Sequence, residues 1–479
     1  MDLMLFYKKS FKALLLFLFY IPAICCNMPK DEQQNALNDN FEKPLHLFIP
    51  DTLNAGILYP KVLINNDELN TFAIYLPKIY NNTAAWPVVF FFDAGGNGSI
   101  AIQKYKSIAD SLGYIMIGSN VSKNGQTAEE SLSIWQLLKN SCLNSLSIDK
   151  SRIILAGFSG GARVCCAIAA NEPEICGIIA NSAGAQHLEN ILNQNTMFIG
   201  LAGNGDMNRA EMLGIEQHLL GTSLTHYYIE YDGIHEWAPA KIMQKAIAIS
   251  SMYAYQKNPT SVNAVLIENF ISSQKSEIEK LKADNKLLEA YNELVLLKKS
   301  TSSLNTLPIE NLDSLENNPN YIAQKNELLK ITAQETEIQQ VLYKMMIENP
   351  NQANWKVKIA QIRKSSIQKN KHGQMNQRIL GYASLVCYSL SNRNLVSKNY
   401  SLAEIMIDCY EIADPENAEV YYFKAIVNGA KREKDNTLLN LQKSMQLGLK
   451  DMQRIRTQQE FNFLLNDVEF KKMTNNGQF

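Results

Sequence analysis

Six histidines in 479 residues leave few places for a general base, and no charge surplus marks the chain for a polyanion. Lys and Arg total 46 against 47 Asp and Glu, a formal net charge of −1. That balance provides no electrostatic attraction for nucleic acid. Eight cysteines are too few for a disulfide scaffold, and no Cys-x-x-Cys pair offers a zinc or thioredoxin-like site. No metal site is expected. Cys165 and Cys166, in a predicted helix, and Cys176, in the next strand, are expected as buried free thiols. What remains is a globular composition, 46% hydrophobic and 19% charged, on a chain too long for one ordinary core.

The N-terminus is distinctive. Lys8, Lys9 and Lys12 precede the apolar run ALLLFLFYIPAI, and Cys25 and Cys26 follow it. The run is short for a spanning helix of ~20 residues. A basic start with a short apolar stretch has signal-peptide architecture. The two cysteines resemble the acylation site of a bacterial lipoprotein, although neither has the usual leucine at −3 with a small residue at −1. Residues 1–26 are therefore expected as a signal peptide with a lipidation site at Cys25 or Cys26, and 27–44 as a flexible tether. The expected location is the cell envelope, periplasmic or surface-facing, with simple secretion as the alternative.

Over 45–257, apolar runs alternate with helical stretches. Strands are predicted at 71–77, 87–93, 114–119, 152–157, 175–182, 197–203 and 226–233. Helices are predicted at 101–112, 127–146, 160–170, 207–220 and 238–257. The central runs are apolar on consecutive residues, as parallel strands covered on both faces require. The pattern predicts a doubly wound, mostly parallel α/β sheet. After Pro259 the strand signal ends. Residues 258–399 read as a helical region in which EIEKLKADNKLLEAYNELVLLKK is one long amphipathic helix. Within 400–479, YSLAEIMIDCYEIADPEN resembles the second helix of a tetratricopeptide repeat. The residues from Ala418 have the ~34-residue length of one full repeat, and QQEFNFLLNDVEFKKM resembles a cap. One and a half repeats are too few for a free-standing array, so these helices are expected to pack on others within 260–399.

The chemistry concentrates in RIILAGFSGGARV, residues 152–164. A serine that leaves a buried strand and opens a helix within one residue takes a strained backbone angle, and its neighbours two before and two after press on other backbone. Gly157 and Gly161 meet that demand. Ser159 is the predicted nucleophile, with the Gly160 N–H beside it at a helix N-terminus as an oxyanion donor. In this arrangement acid and base follow the serine in the order acid, then His, on loops after later strands. Asp206 in GNGDMN and His235 in DGIHEWAP occupy those loops. Asp232 competes as the acid but lies only three residues from the base. Within the α/β region no histidine follows His235, and His218 and His226 read as structural. His187 precedes the acid and is kept as a substrate contact. The second oxyanion donor is expected from the loop after VVFFFD, at the N–H of Ala94 or Gly95. Asp93 at the head of that loop either opposes an oxyanion or, turned away, braces the loop.

These motifs resemble the α/β-hydrolase superfamily, and within it the secreted polyhydroxybutyrate depolymerases and feruloyl esterases. The likeness rests on GFSGG, GNGDMN and HEWAP, and it covers under half of the chain. It implies a serine esterase without cofactor, acting on a small-molecule or polymer ester, with acylated polysaccharide suggested by an exported location. It also implies Trp237 as a wall of the substrate pocket, a packed aromatic beside the base being the other reading. A serine peptidase of the same fold, and a degenerate hydrolase domain serving as a binding scaffold, are the alternatives. The helical part is a candidate surface for a protein partner.

Overall fold

The computed structural model describes residues 53–184, 191, 195–259, 264–302, 304 and 312–476. Cys25, Cys26 and His187 lie outside them. Contacts divide the described residues into two compact units, one up to Leu329 and one from Lys330.

The first unit carries an eight-stranded sheet in the order β1-β2-β4-β3-β5-β6-β7-β8. The strands are β1 (Leu58–Ile64), β2 (Asp67–Tyr75), β3 (Trp86–Phe92), β4 (Ile115–Ser119), β5 (Ile148–Phe158), β6 (Ile175–Asn181), β7 (Met197–Gly203) and β8 (His226–Tyr231). Pairing is antiparallel for β1–β2 and β2–β4 and parallel from there to β8. This is the doubly wound sheet expected of an α/β-hydrolase. Edge strand β1 was not among the expected strands, whereas β2 overlaps the one expected at 71–77, and the two form a hairpin. Its turn is Asn65-Asn66 with φ of 54° and 59°, both left-handed, as a two-residue hairpin turn demands.

Helices cover both faces, because successive strand residues point to opposite sides. Val89, Phe91, Ile154 and Ala156 pack beneath α1 (Gly98–Leu112) and α5 (Ala240–Lys257). Val88, Phe90, Ile153 and Leu155 pack beneath α2 (Ala128–Ser145), α3 (Gly160–Asn171) and α4 (Arg209–Leu219). Each such fully buried side chain stabilises the fold by roughly 1.5–3 kcal/mol. Thr127 and Glu130 start α2 with a reciprocal capping box, which fixes the end of the loop that follows β4. Cys165 and Cys166 are buried and free, and Cys176 is free and partly buried. Burial pushes the Cys166 thiol up to about 12.

The next two helices, α6 (Ala264–Ala283) and α7 (Leu287–Ser300), belong to this first unit. Ile267, Phe270, Ile278, Leu287, Leu294 and Leu297 join the core shared with α5. The single long amphipathic helix expected here is two, parted at residues 284–286 where Asn285 takes φ 56°, and both pack on the α/β region. Asp313–Glu316 forms a short α8, and the division between units falls inside α9 (Pro319–Glu348).

The second unit is all-α, with α10 (Gln352–Ser366), α11 (Lys371–Val396), α12 (Tyr400–Ala413), α13 (Ala418–Ala430), α14 (Lys434–Gln446), α15 (Met452–Thr457) and α16 (Val468–Asn476). Its helices are tied by the buried pair Arg378–Glu335 and by Trp355 Nε1–H donating to the Cys409 carbonyl at 2.8 Å. In the turn between α12 and α13, Asp414 accepts from Ser384 Oγ–H at 2.7 Å and from Asn417 Nδ2–H at 2.9 Å. The Asn417 side chain in turn caps α13.

In the first unit, Lys245 of α5 donates to Glu293 of α7 at 2.7 Å, and Gln274 of α6 donates to the same carboxylate at 2.9 Å. Both charged side chains are nearly buried. Replacing Lys245 by Met strands the Glu293 charge and is expected to cost about 3 kcal/mol. Urea denaturation of the full chain measures this, and adding Glu293→Leu is expected to recover most of the loss.

Candidate active site

The turn between β5 and α3 places Ser159 at φ 53° and ψ −120°, left-handed for a residue with a side chain. Such backbone costs of order 1–3 kcal/mol and persists only where surroundings impose it. Here a Cβ on Gly157 would lie 2.3 Å from the Gly161 carbonyl, and one on Gly161 would lie 1.9 Å from the Phe92 oxygen. Both glycines are thus required by backbone on the opposite side of the turn. The Ser159 N–H is held by the Asn181 carbonyl at 2.9 Å. Its hydroxyl makes no capping bond to α3, which leaves it free for another partner.

That partner is His235. Nε2 lies 3.1 Å from Ser159 Oγ, and Nδ1 lies 2.9 Å from Asp206 Oδ1. The structure brings together Ser159, Asp206 and His235 from three separate loops. Asp206 is fully buried, and its Oδ1 also accepts from the Asn208 N–H at 2.8 Å just before α4. Its Oδ2 has no partner among the described residues, so imidazole is the principal compensation for a buried charge. Asp232, the competing acid, instead accepts from Asn204 Nδ2–H at 3.2 Å. His226 is buried with Nδ1 on the Leu224 carbonyl at 2.8 Å, away from the triad.

The base loop is anchored along its length. Asn181, buried at the end of β6, accepts the Ala238 N–H on its side-chain oxygen at 2.7 Å while its backbone oxygen holds Ser159. Lys104 donates to the Trp237 carbonyl at 2.6 Å, and the Tyr105 hydroxyl donates to the Ala238 carbonyl at 2.7 Å. Burial pushes the Tyr105 phenol far up, so it stays a neutral donor. Phe158 packs its ring 4.9 Å from the His235 ring and 5.6 Å from Trp237.

The loop after β3 resolves both candidate donors and the odd carboxylate. Asp93 Oδ1 accepts the Gly95 N–H at 2.9 Å, and Oδ2 accepts Trp237 Nε1–H at 2.9 Å. Gly95 is therefore committed to Asp93, and the Ala94 N–H, like that of Gly160, has no hydrogen-bond partner among the described residues. Asp93 braces the loop. Trp237 is only 5% exposed and packs on Phe91 and Tyr105 as well as Phe158. It is a packed aromatic two residues from His235 with its N–H on Asp93. Sequence reasoning did not single out Phe158 or Asn181. Asn181 had one signal, a polar residue ending an otherwise apolar strand.

Trp237→Phe keeps the ring and deletes the donor to Asp93. It is expected to destabilise the full chain by about 1–2 kcal/mol in urea denaturation. With Asp93→Ala already present, the same change is expected to cost measurably less, since the shared bond is gone.

No protein-family profile matches the chain, and no curated protein matches it. Among solved structures it is similar to an S-formylglutathione hydrolase from Staphylococcus aureus, at 12% identity and a TM-score of 0.32, over 38% of this chain and 90% of that one. It is similar to a feruloyl esterase module from Clostridium thermocellum at 12% identity and a TM-score of 0.32, over 41% and 84% of the two chains. A truncated carbohydrate esterase from gut microbiota gives 11% identity and a TM-score of 0.33, over 42% and 99%.

Proposed function

We propose that the chain is a serine hydrolase that cleaves carboxylic esters through an acyl-enzyme. The observation that carries this reading is the unbroken hydrogen-bonded chain Ser159–His235–Asp206, with a strained serine backbone at its head. In the reaction, Ser159 Oγ attacks the ester carbonyl as His235 Nε2 takes its proton. Asp206 holds Nδ1–H, fixing the tautomer and stabilising the imidazolium. The N–H groups of Ala94 and Gly160 receive the oxyanion. His235 then protonates the leaving alcohol, and a water deprotonated by the same nitrogen hydrolyses the acyl-enzyme. No metal or organic cofactor enters any step.

A charge at Asp93 turned toward the oxyanion would favour the degenerate-scaffold alternative. With both oxygens of that carboxylate engaged by donors, the feature supports a brace instead. Hydrolysis of p-nitrophenyl acetate is expected to fall at least about 10³-fold in Ser159→Ala, His235→Ala and Asp206→Asn. A fluorophosphonate is expected to label the wild type and not Ser159→Ala. Absence of labelling in the wild type would overturn the reading.

Export with lipid anchoring at Cys25 or Cys26 is part of the same proposal, supported by the basic start and apolar run before them. It would bring the enzyme to polymer or glycan esters outside the cytoplasm. The Cys25→Ser/Cys26→Ser double variant is expected to move from the membrane to the soluble fraction on ultracentrifugation. For the helical region we propose a tetratricopeptide-like unit that presents a protein-binding surface. Its support is the succession α12, α13 and α14, helices of 13 or 14 residues joined by short turns.

A further inference from the structure

The elbow explains glycine at 157 and at 161, but not at 160. A side chain on the residue after the nucleophile is not barred by the turn itself, and Gly160 has no left-handed φ. What occupies that space comes from elsewhere. A Cβ on Gly160 would lie 1.7 Å from Asn124 Oδ1, 2.8 Å from its Cγ and 3.4 Å from its Nδ2. The carboxamide of Asn124, in the loop between β4 and α2, thus lies directly against the residue whose N–H faces the nucleophile.

Asn124 is held there by its backbone. Its N–H donates to the Ala94 carbonyl at 2.9 Å, which ties it to the residue with the other unspent N–H. The loop on either side is braced, with the Lys123 N–H on Gln126 Oε1 at 2.8 Å and Gln126 Nε2–H on the Val121 carbonyl at 3.1 Å. Gly125 follows at φ 91°, a conformation that side chains disfavour. The Asn124 carboxamide itself has no internal hydrogen-bond partner among the described residues, although it carries two donors and an acceptor oxygen. A fixed backbone, an unspent amide, and contact with both oxyanion-donor residues coincide at one point.

We propose that Asn124 is a third, side-chain donor of the oxyanion site, its Nδ2–H adding to the N–H groups of Ala94 and Gly160 when an ester is bound. This rests on the serine hydrolase reading above. As it stands the oxygen is the atom against Gly160, and the NH₂ lies farther from it on an exposed side chain that a bound ester can reach. The absence of a side chain at 160 then has a purpose, since any methyl there would evict the amide.

The test uses p-nitrophenyl acetate hydrolysis by the full chain, with fluorophosphonate labelling of Ser159 alongside. Asn124→Ala is expected to lower kcat about 10²-fold, as deletion of a single oxyanion donor does, with KM changed less than about threefold. Asn124→Asp keeps the shape, removes both donors, and is expected to lose at least as much. Gly160→Ala is expected to lose activity comparably, and Asn124→Ala/Gly160→Ala is expected to be no worse than Asn124→Ala alone, because both remove the same contact. Thermal melting of each variant checks that it is folded. If folded Asn124→Ala and Asn124→Asp both keep kcat within twofold while the wild type is labelled, the Asn124 assignment is overturned and the hydrolase reading stands. If the wild type is neither labelled nor active, both fall together.

Discussion

The site depends on a backbone that has nowhere else to go. Ser159 keeps a left-handed conformation because β5, α3 and the end of β3 meet with no room between them. Gly157 and Gly161 sit against backbone atoms closer than any Cβ tolerates. The strain is local, and the fixed frame that imposes it is the parallel sheet with its two helical layers. A loop of similar sequence outside that frame would relax, and the hydroxyl would turn to cap its own helix, as serines at helix starts commonly do. The structure instead leaves the helix uncapped by Ser159 and directs the oxygen to His235.

The base is held to the same standard by different means. Its loop carries no regular structure, so its position is set by a ring of side-chain bonds from Asn181, Lys104, Tyr105 and Asp93. Asn181 is the common reference, because one residue holds the nucleophile through its backbone and the base loop through its amide. A shift at the end of β6 would therefore move both reacting groups together and leave their spacing intact. The unpartnered Oδ2 of Asp206 works in the same direction. A buried carboxylate with an unsatisfied oxygen interacts best with a cation, which His235 becomes in the proposed reaction on accepting the serine proton.

Much of this was legible in the sequence, and the parts that were not share a cause. The β5–α3 corner and the order of Ser159, Asp206 and His235 are local patterns, each carried by residues adjacent in the chain. Strands β2 to β8 were announced by apolar runs. Edge strand β1 was not, since a strand bearing Pro60 and Lys61 is only partly buried and the turn after it lacks glycine. The direction of Asp93 was beyond reach, because its partner Trp237 stands 144 residues away. The same holds for Asn124, whose proposed role depends on a glycine at the start of α3. For α6 and α7, periodicity revealed an apolar stripe but not the surface it would cover.

That last point bears on how the catalytic part can be separated from the rest. An apparent module ending at Lys257 would leave the outer side of α5 bare, along with Lys245 deprived of its carboxylate. Evolution cannot shuffle such a piece as a cassette, nor can a cloner cut it there, without inheriting an adhesive apolar surface. The compact unit that holds the candidate site runs past α7, with Leu315 of α8 and Tyr321 of α9 in the same core, so residues that look like the beginning of an appendage are its outer wall.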